Sequence, residues 1–198
     1  MLPLLLASAS PRRRELLERV GVPLEVHPAD VDEAPLPKED PAAYVARIAN
    51  AKALAVPRKP GQWVLAADTT VTIDGLILAK AASPDEAGVM LRQLSGRIHQ
   101  VITAFTLVGG MPTYHRDGII ASDVAIIELS EAALADYIAS GEWRGKAGAY
   151  AVQGIGAALV REVRGSVTNV IGLPLVEVLE ALRAVGAPTA KFAAGIPV

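Results

Sequence analysis

The chain has 198 residues, with 19 Lys and Arg against 21 Asp and Glu and a formal net charge of −2, so no global positive field favours nucleic acid. It has no cysteine, which excludes disulfide staples and thiolate metal sites and fits a reducing compartment. Aromatic residues are only 4%, a poor base-stacking platform, and no window approaches the roughly 20 apolar residues needed to span a bilayer.

The length suits one large domain or two lobes sharing a sheet. Leu2 to Ala7 reads as a buried strand. It is too short for a secretory h-region and its charges follow it, so a cytoplasmic chain is expected. Ser8 and Ser10 come next, with Ser10 as N-cap and Pro11 at the first helical position. Arg12, Arg13 and Arg14 then stand in a first turn where cations oppose the helix dipole. An anion at that terminus would reverse the balance, since backbone N–H groups and guanidinium forks would converge on it. Successive residues point about 100° apart, so at least one arginine is a surface charge. Structural capping and phosphate binding both fit this turn taken alone.

A turn at Gly21-Val22-Pro23 precedes a short strand, Leu24 to His27. Pro28 to Pro41, rich in acids and prolines, reads as an exposed loop. A helix from Asp40 or Pro41 to about Val56 follows. Gly61 opens a buried strand, Trp63 to Ala67, ending at Asp68-Thr69-Thr70, and Val71 to Leu78 looks like a hairpin turning at Asp74-Gly75. Ser83 and Pro84 start a helix that stops at Ser95-Gly96. Arg97 to Glu128 suggests two strands joined near Gly109-Gly110. Ser130 caps a helix over Glu131 to Ser140, and Ala149 to Val163 reads as strands separated by glycines. A last helix, Pro174 to Val185, closes a domain over 1–185, leaving 186–198 as a peripheral Ala/Pro/Gly-rich tail. Hairpins interrupt the β–α alternation, so a mixed, twisted sheet flanked by helices is expected.

Asp68 is the sharpest candidate for chemistry. It sits where a buried strand should emerge, and ligands in open α/β sheets bind beyond such ends. A carboxylate there can hold magnesium or orient a water, or it can simply cap an Asp-Thr-Thr turn. Glu33 lies among the loop acids Asp30 and Asp32, which are solvated by default. Lys52 and Lys80 are ordinary surface lysines unless a triphosphate draws them in. Lys80 ends the run Leu76 to Ala79 and can project into a cleft. Gln153 can read a base edge or bond to backbone. His99 reads as structural, and neither His27 nor His115 has zinc-ligand spacing. A Gly-x-Ser-x-Gly elbow, a phosphate-binding Gly-rich loop and a dinucleotide fingerprint are all absent.

Together these segments resemble the Maf-type nucleoside triphosphate pyrophosphatases. The matching stretches are Leu6 to Arg13, Asp32-Glu33, Lys52-Ala53, Ala66 to Thr69, Leu78 to Lys80, Met90 to His99, Lys146 to Gly154 and Gly165 to Pro174. The resemblance covers nearly the whole chain in the family's order. It implies a mixed α/β fold with two lobes around a cleft, a homodimer, and hydrolysis of a nucleoside triphosphate to monophosphate and pyrophosphate. The family's proton acceptor falls on Asp68, and its specificity positions on Arg12, Thr69 and Gln153, in the combination of the dTTP- and UTP-cleaving branch rather than the 7-methyl-GTP branch. The implied site is completed by Ser8, Arg13, Lys52 and Lys80 around the phosphates. Glu33 and Asp68 would hold a divalent metal, magnesium or alternatively manganese. Ala9, Ala81 and Ala104 stand where the family commonly has glycine, proline and glycine. A non-catalytic nucleotide-binding regulator of septum formation and a phosphotransferase are the other readings that stay open.

Overall fold

Three buried leucines form β1 (Leu4–Leu6), at the centre of the parallel part of the sheet. It pairs in parallel with β2 (Leu24–Val26) on one side and with β3 (Val64–Ile73) on the other, through Leu5↔Val64 and Leu6↔Leu65. The structure, a computed structural model, describes residues 2–190. β3 turns back through Asp74-Gly75, both at positive φ as such a two-residue turn requires, into β4 (Leu76–Leu78). Next to β3 runs β5 (Ile98–Gly109), then β6 (Tyr114–Ile126) and β7 (Val160–Arg164), all antiparallel. The seven-stranded sheet has the order β2-β1-β3-β5-β6-β7, with β4 on the free stretch of β3. The mixed sheet inferred from the sequence is therefore the observed one.

The helices cover the sheet where their apolar stripes require it. α1 (Pro11–Arg19) and α6 (Leu175–Ala184) bury Leu16, Leu17, Val178 and Leu182 against β1, β3 and β5 residues. α2 (Pro41–Ala55) starts on Asp40, whose carboxylate accepts from Ala42 and Ala43 N–H, and lies against β5 through Val45, Ile48 and Ala49 and against β3 through Ala53. α3 (Pro84–Leu94) and α4 (Glu131–Ser140) close a second cluster around Leu91, Leu94, Leu134 and Tyr137. Their caps are made as read from the sequence, with Ser83 Oγ accepting from Glu86 N–H and Ser130 Oγ from Ala133 N–H.

Five sequence expectations change. β3 does not end at Ala67; it continues to Ile73, because β5 pairs with it from Val64 to Thr72 and β4 from Val71. Asp68 is thus mid-strand. Ser10 sits at the N-cap of α1 but its hydroxyl makes no capping bond; Ser8 Oγ instead accepts from Ser10 N–H at 3.2 Å. Between Ala149 and Val163 only β7 is a strand. Gly154–Leu159 winds into a 3-10 helix because the Glu142 carboxylate accepts from both Ile155 and Gly156 N–H. A short helix, α5 (Val167–Ile171), stands where none is expected, capped by Ser166 Oγ accepting from Asn169 N–H. The start of the Ala/Pro/Gly-rich segment packs inward, with Ala187 and Ala190 buried in the core; positions 191–198 of the expected tail lie outside the described residues. No helix among the described residues is long and apolar enough to cross a membrane.

Candidate functional site

Asp68 lies on β3 three residues past Leu65, where pairing with β1 stops. The parallel strand β1 ends at Leu6 and its chain peels away through Ser8 into α1. That divergence opens a crevice against β3, so the rule that ligands sit beyond the ends of parallel strands still applies, through the end of β1 instead of β3. A cavity of about 310 Å³ fills the crevice, lined among others by Ser8, Arg12, Arg13, Glu33, Lys52, Asp68, Thr69, Lys80 and Gln153. Residues spread from position 8 to position 153 are brought to one place.

Lys52 is the hinge of the charge arrangement. It is only 6% exposed, on the last turns of α2, and its Nζ lies 2.7 Å from Asp68 Oδ1 and 2.7 Å from Glu33 Oε1. Lys80 Nζ stands 3.5 Å from the other Glu33 oxygen. Burial pushes the Glu33 carboxyl up, but the Lys52 hydrogen bond and charge, with those of Lys80, more than offset it and hold Glu33 below the ordinary carboxylate range. Glu33 differs from its neighbouring loop acids because α2 pins its backbone: Tyr44 Oη donates to Glu33 O at 2.9 Å, and Arg47 donates to Ala34 O and to both Glu39 oxygens. Asp32 merely closes a local turn on Ala34 N–H.

The three arginines separate sharply. Arg14 is exposed and paired with Glu18 on its own helix. Arg13 is buried and fans out beneath the cavity, donating to Gly172 O at 2.8 Å, Ser8 Oγ at 3.1 Å and Thr69 Oγ1 at 3.0 Å. Burial presses its guanidinium below the ordinary range, with Asp68 and Glu33 opposing that and Arg12 adding to it. Arg12 is half-buried, with one bond from Nε to Ile171 O at 3.3 Å, and burial lowers it too. Thr69 Oγ1 accepts from Arg13 and also lies 2.9 Å from Thr103 Oγ1 and 3.2 Å from Gly172 O. Its hydroxyl is engaged with the floor of the site.

Sequence reasoning overlooked several lining residues. Lys146 and Tyr150 lie in the stretch that carries Gln153, and their charge and ring were signals enough. Gly172, also in the lining, and Thr103, behind it on Thr69, gave none: they act through a carbonyl and a hydroxyl reached across 159 and 34 positions of chain. Tyr150 forms the cavity wall with His99 behind it, Nε2 and Oη 2.7 Å apart and the rings edge to face. His99 is 2% exposed and burial pushes it down to about 4, against the charge of Asp123. The unfolded chain takes up this proton at its ordinary value of 6.5, the folded chain only near 4. Stability from this group is complete above pH 6.5 and declines as the pH falls toward 4, by about 3 kcal/mol. Urea unfolding across that range should show the decline in the wild type and a flatter profile in His99→Phe; equal slopes would remove His99 as the cause.

A family model described as Maf-like protein matches residues 3–185. A dTTP/UTP pyrophosphatase of Anaeromyxobacter dehalogenans is 50% identical over 187 residues, covering 93% of this chain and 95% of its own. One of Rhodospirillum rubrum is 51% identical over 177 residues, covering 88% and 84%. One of Cereibacter sphaeroides is 46% identical over 192 residues, covering 96% and 99%. Among solved structures, a nucleoside-triphosphatase/dITP/XTP pyrophosphatase of Mycobacterium abscessus aligns over 99% of this chain and 98% of its own, at 15% identity and a TM-score of 0.46, a loose likeness only. Half-identity sustained along nearly the whole length, with a family model spanning both walls of the cleft, makes this chain a member of the Maf-like family.

Proposed function

We propose that this chain, one domain over 1–185 with two lobes flanking the cleft, works as a cytoplasmic homodimer that hydrolyses dTTP and UTP to the monophosphate and pyrophosphate, clearing them from the nucleotide pool. The observation that carries the reading is a buried carboxylate, Asp68, held by Lys52 at the edge of a cavity whose cations outnumber its acids. The names borne by relatives at about half identity supply the substrate.

The chemistry assigns each group a task. Cleavage needs a water in line with the α–β anhydride bond and cations for the charge that develops on the leaving pyrophosphate. Asp68 Oδ1 is committed to Lys52, which leaves Oδ2 to orient the water and take its proton. The water oxygen bonds to the α phosphorus while the bridging oxygen departs with its electron pair on pyrophosphate. Arg12, Lys52 and Lys80 offset the phosphate charge, Ser8 and the N-terminus of α1 cradle phosphate oxygens, and Arg13 locks that floor. Gln153 reads the pyrimidine edge, since a wrong base leaves buried donors or acceptors unpaired. Thr69 influences that choice by setting Arg13 and the Gly172 carbonyl.

Among the described residues no group of three or more His, Asp and Glu gathers to hold a metal by itself. Two carboxylates do face the cavity, Glu33 and Asp68, with Lys52 between them. That donor set suits magnesium, which binds through one or two carboxylates plus substrate phosphates and waters. Glu33 and Asp68 would hold it, and its contribution would be to neutralise phosphate charge.

A panel of canonical and modified triphosphates, each with magnesium or manganese, tests the reading. We expect dTTP and UTP to lead and pyrophosphate to be the first product. Orthophosphate as first product would mean γ-phosphate cleavage and defeat the proposed reaction; a lead by 7-methyl-GTP would defeat the substrate.

A further inference from the structure

We propose that Lys146 is a further substrate-contacting residue, which together with Arg12 forms a two-cation clamp on the phosphates of the nucleotide. The clamp rests on the nucleotide reading above.

Lys146 and Arg12 line the same cavity from elements far apart in the chain. Among the described residues neither has a carboxylate within ion-pair distance. The acids that line the cavity are already engaged, Glu33 with Lys52 and Lys80, and Asp68 with Lys52. Glu142, whose charge also reaches Lys146, has its two oxygens taken by Tyr137 Oη and by the N–H groups of Ile155 and Gly156. Lys146 Nζ has one long bond, 3.4 Å to Arg144 O, and Arg12 has its single bond to Ile171 O. The lysine is also lowered, by burial first and by the charge of Arg12 second, with Glu142 opposing. Two cations that feel each other across a partly buried cavity, without an acid between them, work against folding. An anion placed between them removes that cost.

The backbone holds Lys146 there at some expense. Lys80 and Ala147 form an isolated antiparallel bridge, and Gly148 N–H donates to Leu78 O and Ala79 O. Gly148 has φ +66, and a Cβ on it would come within 2.9 Å of Val71 Cγ1, so the loop lies directly against β3. The next residue, Ala149, is fully buried with φ +60, a conformation costly for a residue with a side chain. This strained, stitched segment carries Lys146 and Lys80 to the cavity side by side. A surface lysine needs no such anchoring.

Oligophosphate is the ligand class the pair fits, since two cations that line one cavity call for a ligand with more than one negative charge and a neutral base offers them none. The probe is inorganic pyrophosphate, read as an inhibitor of dTTP cleavage and by titration calorimetry. Lys146→Ala should raise both the KM for dTTP and the pyrophosphate inhibition constant about ten- to a hundredfold, with a melting temperature at or above that of the wild type. Lys146→Arg should recover most of both. Thymidine, which has base and sugar but no phosphate, should bind Lys146→Ala as it binds wild type. Unchanged pyrophosphate inhibition in Lys146→Ala, or a loss confined to thymidine, overturns the clamp while leaving the nucleotide reading intact. A wild-type chain that neither cleaves dTTP nor binds pyrophosphate overturns both.

Discussion

Asp68→Asn is expected to reduce pyrophosphate release from dTTP by about 10²- to 10⁴-fold, the range a positioned general base contributes, while dTTP still binds. The asparagine keeps an oxygen for Lys52 Nζ, which sits 2.7 Å from Asp68 Oδ1, so the local geometry should survive. What disappears is the acceptor for the water's proton. Of the cations that hold the phosphates, Arg12, Lys80 and Lys146 form no ion pair with Asp68, and Lys52 keeps its bond to the amide oxygen. The measurement is steady-state pyrophosphate release beside equilibrium binding of dTTP on the same preparation. Full turnover would remove Asp68 from the mechanism. Loss of binding in step with loss of turnover would make it a structural residue instead of a base.

Lys52→Met should damage both activity and stability. Methionine matches the length of the lysine stem but leaves Asp68 and Glu33 without their shared cation. Removing one partner of a buried ion pair costs about 3–5 kcal/mol; Glu33 keeps 40% of its side-chain surface in water, so the low end of that range applies, about 3 kcal/mol. Turnover should fall by about 10²-fold or more, since the base loses the group that orients it. The informative comparison is the double variant Asp68→Asn/Lys52→Met. Removing both buried charges should restore part of the lost stability with no return of activity, a coupling that a denaturation cycle of the four chains measures directly. If Lys52→Met unfolds at the wild-type denaturant concentration, the pair is not holding the site together.

Most of the local structure was legible in the chain. Ser83, Ser130 and Asp40 mark helix starts because a short polar side chain ahead of a helical run can accept first-turn N–H groups, and all three do so. Asp74-Gly75 marks a hairpin because both positions need positive φ. Two of the errors share a cause, in that partners distant in sequence overrode local preference. Asp68-Thr69-Thr70 is turn-like in isolation, yet β5 pairs with it residue for residue and keeps it extended. Ala149 to Leu159 carries strand-like residues, yet the Glu142 carboxylate gathers two of its N–H groups into a 3-10 turn.

By itself the amino-acid sequence determined the starts of the capped helices, the mixed sheet and the residues able to bear charge at a phosphate site, since capping, periodicity and charge are properties of neighbouring residues. Only the tertiary structure decided which of those charges meet. Of three adjacent arginines the sequence says that at least one faces solvent, and the family resemblance singles out Arg12 and Arg13; the fold shows the means, turning Arg14 to solvent, Arg13 into the floor beside Gly172 and Arg12 to the cavity. Lys52 became the hinge of the site because α2 crosses β3 and brings one ammonium between two carboxylates far apart in the chain. Such meetings depend on strand register and helix packing, which no local window of sequence contains.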